Sequence, residues 1–473
     1  MRFLSDAVSF ISDIVWGTPS LILILGAGVF LSFRLKFFQF RKCSLWLKET
    51  LFSVGKAKKC DKKGAISPFR AVCSSLAATV GTGNITGVAS AVCIGGPGAV
   101  FWMWVAAFFG MATKFSENVL GIYYRRKNEK GEFSGGAMYY LRDGLSTVPC
   151  VCRIAKPLSF MFAFFCIFAS FGIGNAVQAN NIAVTAVSLF SLFPKNVFGI
   201  VLSPCFVVGL LLAAVTYVCL SGGLSGVGKI TEALVPGMAI MYIAGCLYII
   251  FSHISLLPAA FVSVFKGAFG FLPVCGGGVG FLISQTVKTG IKRGVFSNEA
   301  GLASSVTVTS SSSVSEPVSQ GMWGIFEVFA DTFVICTLTA LVVLVSGNID
   351  LETGRCISSL EGTALVVSAF SSSMGDAAAI FVSVSSLLFS FTTLLGWSQY
   401  GIKACEYIFG VSSFAVYRFV FVSFTVIGAA VSLRAAWDIS DIFNGLMALP
   451  NLAGLFFLAP TVRKITENYM VNR

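Results

Sequence analysis

Histidine is almost missing from this chain: 473 residues contain one, His253. Catalysis by an imidazole base and metal centres built on histidine clusters are poorly served by a single copy. Charge is scarce too, at 11% of residues, where an ordinary soluble domain carries about 25%. No nucleophile-and-base arrangement, Walker loop or clustered set of metal ligands occurs, so an enzyme and a transition-metal site are not expected. The cysteines lack paired metal-ligand spacing: Cys73, Cys93, Cys166, Cys205, Cys219 and Cys336 read as small apolar fillers, and the Cys150/Cys152 pair is too weak to define a site. The opening stretch MRFLSDAVSFISDIVWG has acids ahead of its apolar part and no cationic leader, so a cleaved signal peptide is not expected.

What remains is apolar. Hydrophobic residues make up 56% of the chain, mean hydropathy is +0.85, and the runs recur at close to the ~20 residues that a helix needs to cross a bilayer. Continuous runs such as FVVGLLLAAVTYVCL do not match the alternating strands of a β-barrel. The expected fold is therefore an all-α polytopic membrane protein. Eleven candidate spans cover 18–34, 69–94, 99–123, 157–190, 197–220, 229–252, a Gly-interrupted region 258–290, 322–346, 376–402, 414–433 and 440–461.

The net charge of +12 sits in a few loops, which reads as topology rather than as nucleic-acid binding. Basic residues crowd 34–70 and 125–156, which places both segments in the cytoplasm. Alternation then puts the C-terminus inside and the N-terminus outside. Beyond the first span, five spans that start inside precede five that start outside, the parity of an inverted repeat. The expected division is 1–66 (peripheral span and basic linker), 67–252 (first repeat) and 253–473 (second repeat and tail). Each repeat should open with a discontinuous helix: GTGNITG interrupts span two, and PVCGGGVG, at 273–280, interrupts span seven.

Gly81, Thr82, Gly83 and Asn84 at the centre of a span must have their backbone groups satisfied by protein, water or ligand. Unwound carbonyls there would hold a small cation, and the next half-helix N-terminus a carboxylate. Gly83 and Gly87 also form a GxxxG pair, which by itself points to helix packing; the second break tilts the reading towards a binding site. Asn175, Gln178 and Asn181 in span four serve either a polar ligand or a neighbouring helix. In span eight, Glu327 is expected to be shallow, where water can reach it, with Asp331 deeper and either functional or paired with Lys114 or another helix. Ser390, Thr392 and Thr393 offer hydroxyl oxygens at mid-depth, or bond back to their own helix. Ser297, Asn298 and Glu299 read as a turn and cap at an inner gate, with Glu299 solvated or paired and without chemistry of its own.

Nine stretches in order along nearly the whole chain resemble the alanine or glycine:cation symporter family: GTGNITGVASAV, GGPGAVFWMWVAAFFGMATKFSEN, GGAMYYL, GNAVQANN, RGVFSNEAGLASS, EPVSQG, ADTFVICTLTALVVL, GWSQYG and DIFNGLMALPNL. The resemblance implies a leucine-transporter-like fold, with ten core helices in two inverted halves and one peripheral helix. It implies sodium-coupled uptake of alanine, glycine or a similar small amino acid, D-alanine included, across a bacterial inner membrane, with membrane lipid as a partner and no cofactor. By position it assigns substrate contacts to Thr82, Gly83, Asn84, Gln178, Gly277, Gly278, Gly280, Thr393 and Trp397. The sodium ligands expected alongside are Val80, Gly81, Asn84, Ser390, Thr392, Thr393 and Asp331. The chain departs from the family pattern at Gly278, where an aromatic is usual, at Ile402, where a glutamate is usual, and at Ala137, where a proline is usual. Proton coupling, or a passive channel through the same polar centre, are the competing readings. A membrane enzyme built on Glu327 and Asp331 is the third.

Overall fold

The structure is a computed structural model that describes residues 10–56, 65–190, 203–270, 279–431 and 434–473. It is helical nearly throughout. Helix α1 (Thr18–Arg34) precedes an interrupted span made of α2 (Pro68–Thr79) and α3 (Val88–Gly95), then α4 (Gly98–Tyr123). The next span is α5 (Ala155–Phe171) and α6 (Val177–Leu189), joined by a wide π turn at Gly172–Ala176. Helices α7 (Pro204–Ser221), α8 (Gly223–Ser252) and the short α9 (Leu257–Ala268) lead to α10 (Val279–Asn298). Then come α11 (Pro317–Val328), a π segment at Phe329–Cys336, and α12 (Thr337–Val345). The chain closes with α13 (Gly362–Met374), α14 (Ala377–Phe409), α15 (Phe414–Ala430), α16 (Arg434–Leu446) and α17 (Ala448–Val471).

Local chemistry sets these ends. Ser67 caps α2 by accepting from the Arg70 amide at 3.2 Å, and Pro68 occupies the first turn, where its missing N–H costs nothing. Gly96, at φ +70°, and Pro97 stop α3. Gly98 then lets the chain lie directly on the Gly267–Ala268 backbone, an approach that any side chain would block.

Corresponding helices of the two halves pack on each other: α4 on α11, α6 on α14, α7 on α15, and α3 on α10. An inverted repeat produces this pairing, because a pseudo-two-fold axis sends each helix onto its counterpart. Two large buried clusters fill the bundle, one around Phe115, Tyr140 and Tyr400, the other around Tyr242, Phe370 and Phe389. Among the described residues nine helices are long and apolar enough to span a membrane, or ten when the pair Pro68–Thr79 and Gly83–Gly95, bent by 56°, is taken as one.

The difference from eleven lies at the seventh expected span. Instead of one region over 258–290, the described chain has the twelve-residue α9 and the twenty-residue α10, which carries Lys288, Lys292 and Arg293. Of the expected break at 273–280, residues 273–278, Gly277 and Gly278 among them, lie outside the described residues; Gly280 falls in the first turn of α10. Among the described residues the helix ends after Asn298, where Glu299, Gly301 and Ala303 all take positive φ. The last expected span, 440–461, also runs on to Val471, because Pro460 is accommodated within α17.

Candidate functional site

The break in the first span begins where α2 ends at Val80, whose extended backbone (ψ 92°) takes the chain out of the helix. Asn84 holds the break closed. Its Oδ1 accepts from the Gly81 N–H at 2.9 Å, and its Nδ2 donates to Ser297 Oγ at 2.9 Å and to Asp331 Oδ1 at 2.6 Å. Ser297 and Thr332 donate to the other carboxylate oxygen at 2.7 and 2.9 Å. Asn84 and Asp331 are fully enclosed, and Ser297 is nearly so. A single buried carboxylate thus joins the first break, the end of α10 and the π segment after α11. Such a set of oxygens, one carboxylate with two hydroxyls, suits a hard cation.

Gly81 faces α14. A Cβ on it would stand 2.7 Å from Thr393 Oγ1, so only glycine lets the break approach this helix. The Thr393 hydroxyl lies within reach of two carbonyls, Phe389 O at 2.8 Å and Val80 O at 3.5 Å. Trp397, one turn on, presses against Gly174 of the π turn in the α5–α6 span.

Beside this cluster is a cavity of about 370 Å³, lined in part by Thr82, Gly83, Gln178, Phe296, Thr393 and Trp397. Gln178 Nε2 donates to Ile173 O at 3.1 Å, while its buried Oε1 has no hydrogen-bond partner among the described residues. Arg293 and Asp441 add charge of both signs to the wall. Gly87 makes room for the Arg293 guanidinium, which occupies the space of an absent side chain.

Several expectations need correction. Glu327 is not shallow: it is fully enclosed, its Oε1 accepts from Ser75 at 2.6 Å and pairs with Lys114 Nζ at 3.1 Å. The helix starts at Pro317 rather than near 322, which carries Glu327 roughly 15 Å in from the helix end. Lys114 therefore pairs with Glu327 and not with Asp331, and it also donates to Asn298 O at 3.1 Å. Glu299 is not solvated; it is 4% exposed, accepts from Ser304 and lines the cavity. Ser297 belongs to the Asp331 cluster rather than to a gate beneath it. Cys93 is no filler, since it forms a disulfide with Cys356.

Ser390 and Thr392 do not line the cavity. The Ser390 hydroxyl accepts from Asn181 at 2.7 Å, and Thr392 bonds back to Leu388 O and Phe389 O, each at 3.1 Å. Asn175 joins helices, donating to Phe421 O at 2.5 Å. Glu117 was not singled out by sequence; fully buried on α4, it accepts from the Gly301 N–H at 3.0 Å and from Asn451 at 2.7 Å, holding the turn after α10. An acid three residues after Lys114 in an apolar run was the available signal.

A broken helix at the centre of an inverted-repeat bundle, with a polar cavity at the break, defines a secondary membrane transporter of leucine-transporter-like fold. The chain belongs to the sodium:alanine symporter family, whose model matches residues 1–473. It is 40% identical over 469 residues to the sodium/alanine symporter AgcS of Methanococcus maripaludis, covering 99% of this chain and 98% of the relative. It is 35% identical to the probable sodium/glutamine symporter GlnT of Bacillus subtilis, covering 99% of this chain and 91% of that one. Among solved structures it is similar in fold to MhsT in complex with L-phenylalanine, with a TM-score of 0.54 at 12% identity, covering 85% of this chain and 98% of the other. These are transporters, not enzymes.

Proposed function

We propose that this chain carries a sodium ion and a small neutral amino acid, alanine, glycine or D-alanine, together into the cell by alternating access. The observation that carries the reading is the cavity of about 370 Å³ at the Val80–Gly83 break, within the about 300–1,000 Å³ range of small-molecule sites. At the break, Val80 and Gly81 carbonyls with Thr393 Oγ1 form one cation position, to which Ser390 and Thr392, engaged elsewhere on α14, do not contribute. Asp331, with Asn84 and Ser297, forms a second. The substrate carboxylate meets the first N–H groups of the half-helix restarting at Thr82 and Gly83, which lack helical partners and carry the positive dipole end. Gln178 Oε1, otherwise unpartnered, accepts from the ammonium group, and Trp397 closes one side. Of the three glycines that the resemblance assigns to the substrate region, Gly277 and Gly278 lie outside the described residues, and Gly280, in the first turn of α10, stands roughly 24 Å along the helix from Phe296 at the cavity.

Sodium and substrate on one broken helix favour the same closed state, so each raises the affinity for the other. The chain crosses the inner membrane eleven times, with 67–252 and 253–473 as the two repeats after a peripheral 1–66, N-terminus outside and C-terminus in the cytoplasm. The test is uptake of labelled alanine, glycine, D-alanine and glutamine into proteoliposomes under separate sodium and proton gradients. Accumulation of a small neutral amino acid driven by sodium is the expected result. Accumulation driven by protons alone would replace the coupling ion, and equilibration without accumulation would make the protein a passive channel.

A further inference from the structure

At the end of the bundle opposite the Cys93–Cys356 disulfide, the chain leaves α1 through a tight reversal. Lys36 and Phe37 both take left-handed backbone, at φ 53° and 54°, and a short helix Phe38–Arg41 follows. The reversal gathers Arg34, Lys36, Arg41 and Lys42 around one pocket of about 460 Å³, whose other wall is the last turns of α17, with Arg463, Glu467, Met470 and Val471. Among the described residues Glu467 is the one acid of this lining, and it already serves two cations, Lys36 at 3.5 Å and Arg463 at 2.9 Å. Among the described residues no carboxylate forms an ion pair with Arg34, Arg41 or Lys42. The pocket floor is apolar, made by the buried Leu35 and Phe38. Phe33 and Phe40 stand outward at 66% and 71% exposure, and below them Phe30 stacks on Phe456 along the α1–α17 seam at 5.0 Å.

A cation-rich mouth over an apolar seam matches an amphiphile of opposite charge. We propose that this pocket binds an anionic glycerophospholipid of the surrounding leaflet, its phosphate between Arg34, Arg41 and Lys42 and its acyl chains along the α1–α17 seam. Guanidinium groups give a phosphate paired hydrogen bonds, and a net-negative headgroup, unlike phosphatidylcholine, brings no ammonium of its own into the cluster of cations. The basic loops place this end at the cytoplasmic face, where juxtamembrane cations meet anionic lipid.

The test is retention of phosphatidylglycerol against phosphatidylcholine by the purified full chain through gel filtration, counted by mass spectrometry, with melting temperature read in parallel. Phosphatidylglycerol should be retained at least threefold over phosphatidylcholine and should raise the melting temperature, and inorganic phosphate should not. The Arg34→Gln/Arg41→Gln/Lys42→Gln variant should lose the preference. Lys127→Gln/Lys130→Gln/Lys156→Gln, which removes the same charge from exposed sites elsewhere, should keep it. Should the first triple variant not fold, Arg41→Gln alone is expected to reduce the preference measurably. Equal retention of the two lipids, an unchanged preference in the pocket variants, or the same stabilisation by inorganic phosphate would each overturn the assignment.

Discussion

Asn84 and Asp331, 247 residues apart in sequence, meet through a 2.6 Å hydrogen bond in which the amide donates to the carboxylate. The same amide group satisfies the Gly81 N–H, so the geometry of the first break and the position of the buried charge are set together. Replacing Asp331 by Asn keeps the size and removes the charge; sodium stimulation of uptake should fall at least tenfold with the amount of inserted protein unchanged. Asn84→Leu should abolish sodium-dependent uptake altogether. Both are read in proteoliposomes at several sodium concentrations, and an unchanged sodium response in Asp331→Asn would remove this carboxylate from the coupling site.

Gly81→Ala puts a methyl group against Thr393 Oγ1. Overpacking of this kind costs about 1–3 kcal/mol, visible as a lower melting temperature, along with impaired uptake. Adding Thr393→Ala removes the clashing oxygen. The double variant should recover the melting temperature but not uptake, because the hydroxyl near Val80 O is lost as well; recovery of both would leave Thr393 as packing only.

Breaking one side of the enclosed Lys114–Glu327 pair leaves a buried charge without its partner. Lys114→Met should cost about 3–5 kcal/mol, lowering expression and melting temperature. Lys114→Met with Glu327→Gln should be less damaging than the sum of the single changes, a coupling that a thermal-melt double-mutant cycle would measure. Strict additivity would mean the pair is not coupled.

The first break was legible because three glycines, two threonines and an asparagine within an apolar run are a poor fit to a continuous membrane helix. The interruption after Asn298 was not legible in the sequence, for a physical reason. PVCGGGVG is rich in the residue that permits breaks, whereas the described interruption uses Glu299 and Ala303 at positive φ, a conformation that neither residue type announces. The depth of Glu327 depended on where its helix begins, and five residues of error turned an enclosed ion pair into an apparently wet acid. The Cys93–Cys356 pairing joins positions 263 residues apart, and spacing alone cannot assign that. The hydroxyls at 390–393 were equally plausible from sequence; which of them faces the break is decided by helix rotation, and only Thr393 lines the cavity.

Gln178 should act on the amino acid rather than on the ion. Gln178→Leu removes the unpartnered acceptor in the cavity, and the KM for substrate should rise by roughly tenfold, about 1.4 kcal/mol, while the sodium concentration for half-activation shifts much less at saturating substrate. Equal shifts in both would mean that the residue acts through the fold.

The bond between Cys93 and Cys356 starts on α3, the second half of the first broken helix, and ends in the loop between α12 and α13. Everything from Gly98 to Val345, including seven of the labelled helices from α4 through α10 and both that follow to α12, hangs within one covalent ring. A protease that nicks any loop in that stretch therefore yields fragments that stay joined on a non-reducing gel and separate only when a reductant is added. Integrity of the chain and integrity of the molecule are different properties here, and a damaged copy in the membrane keeps its two halves in register.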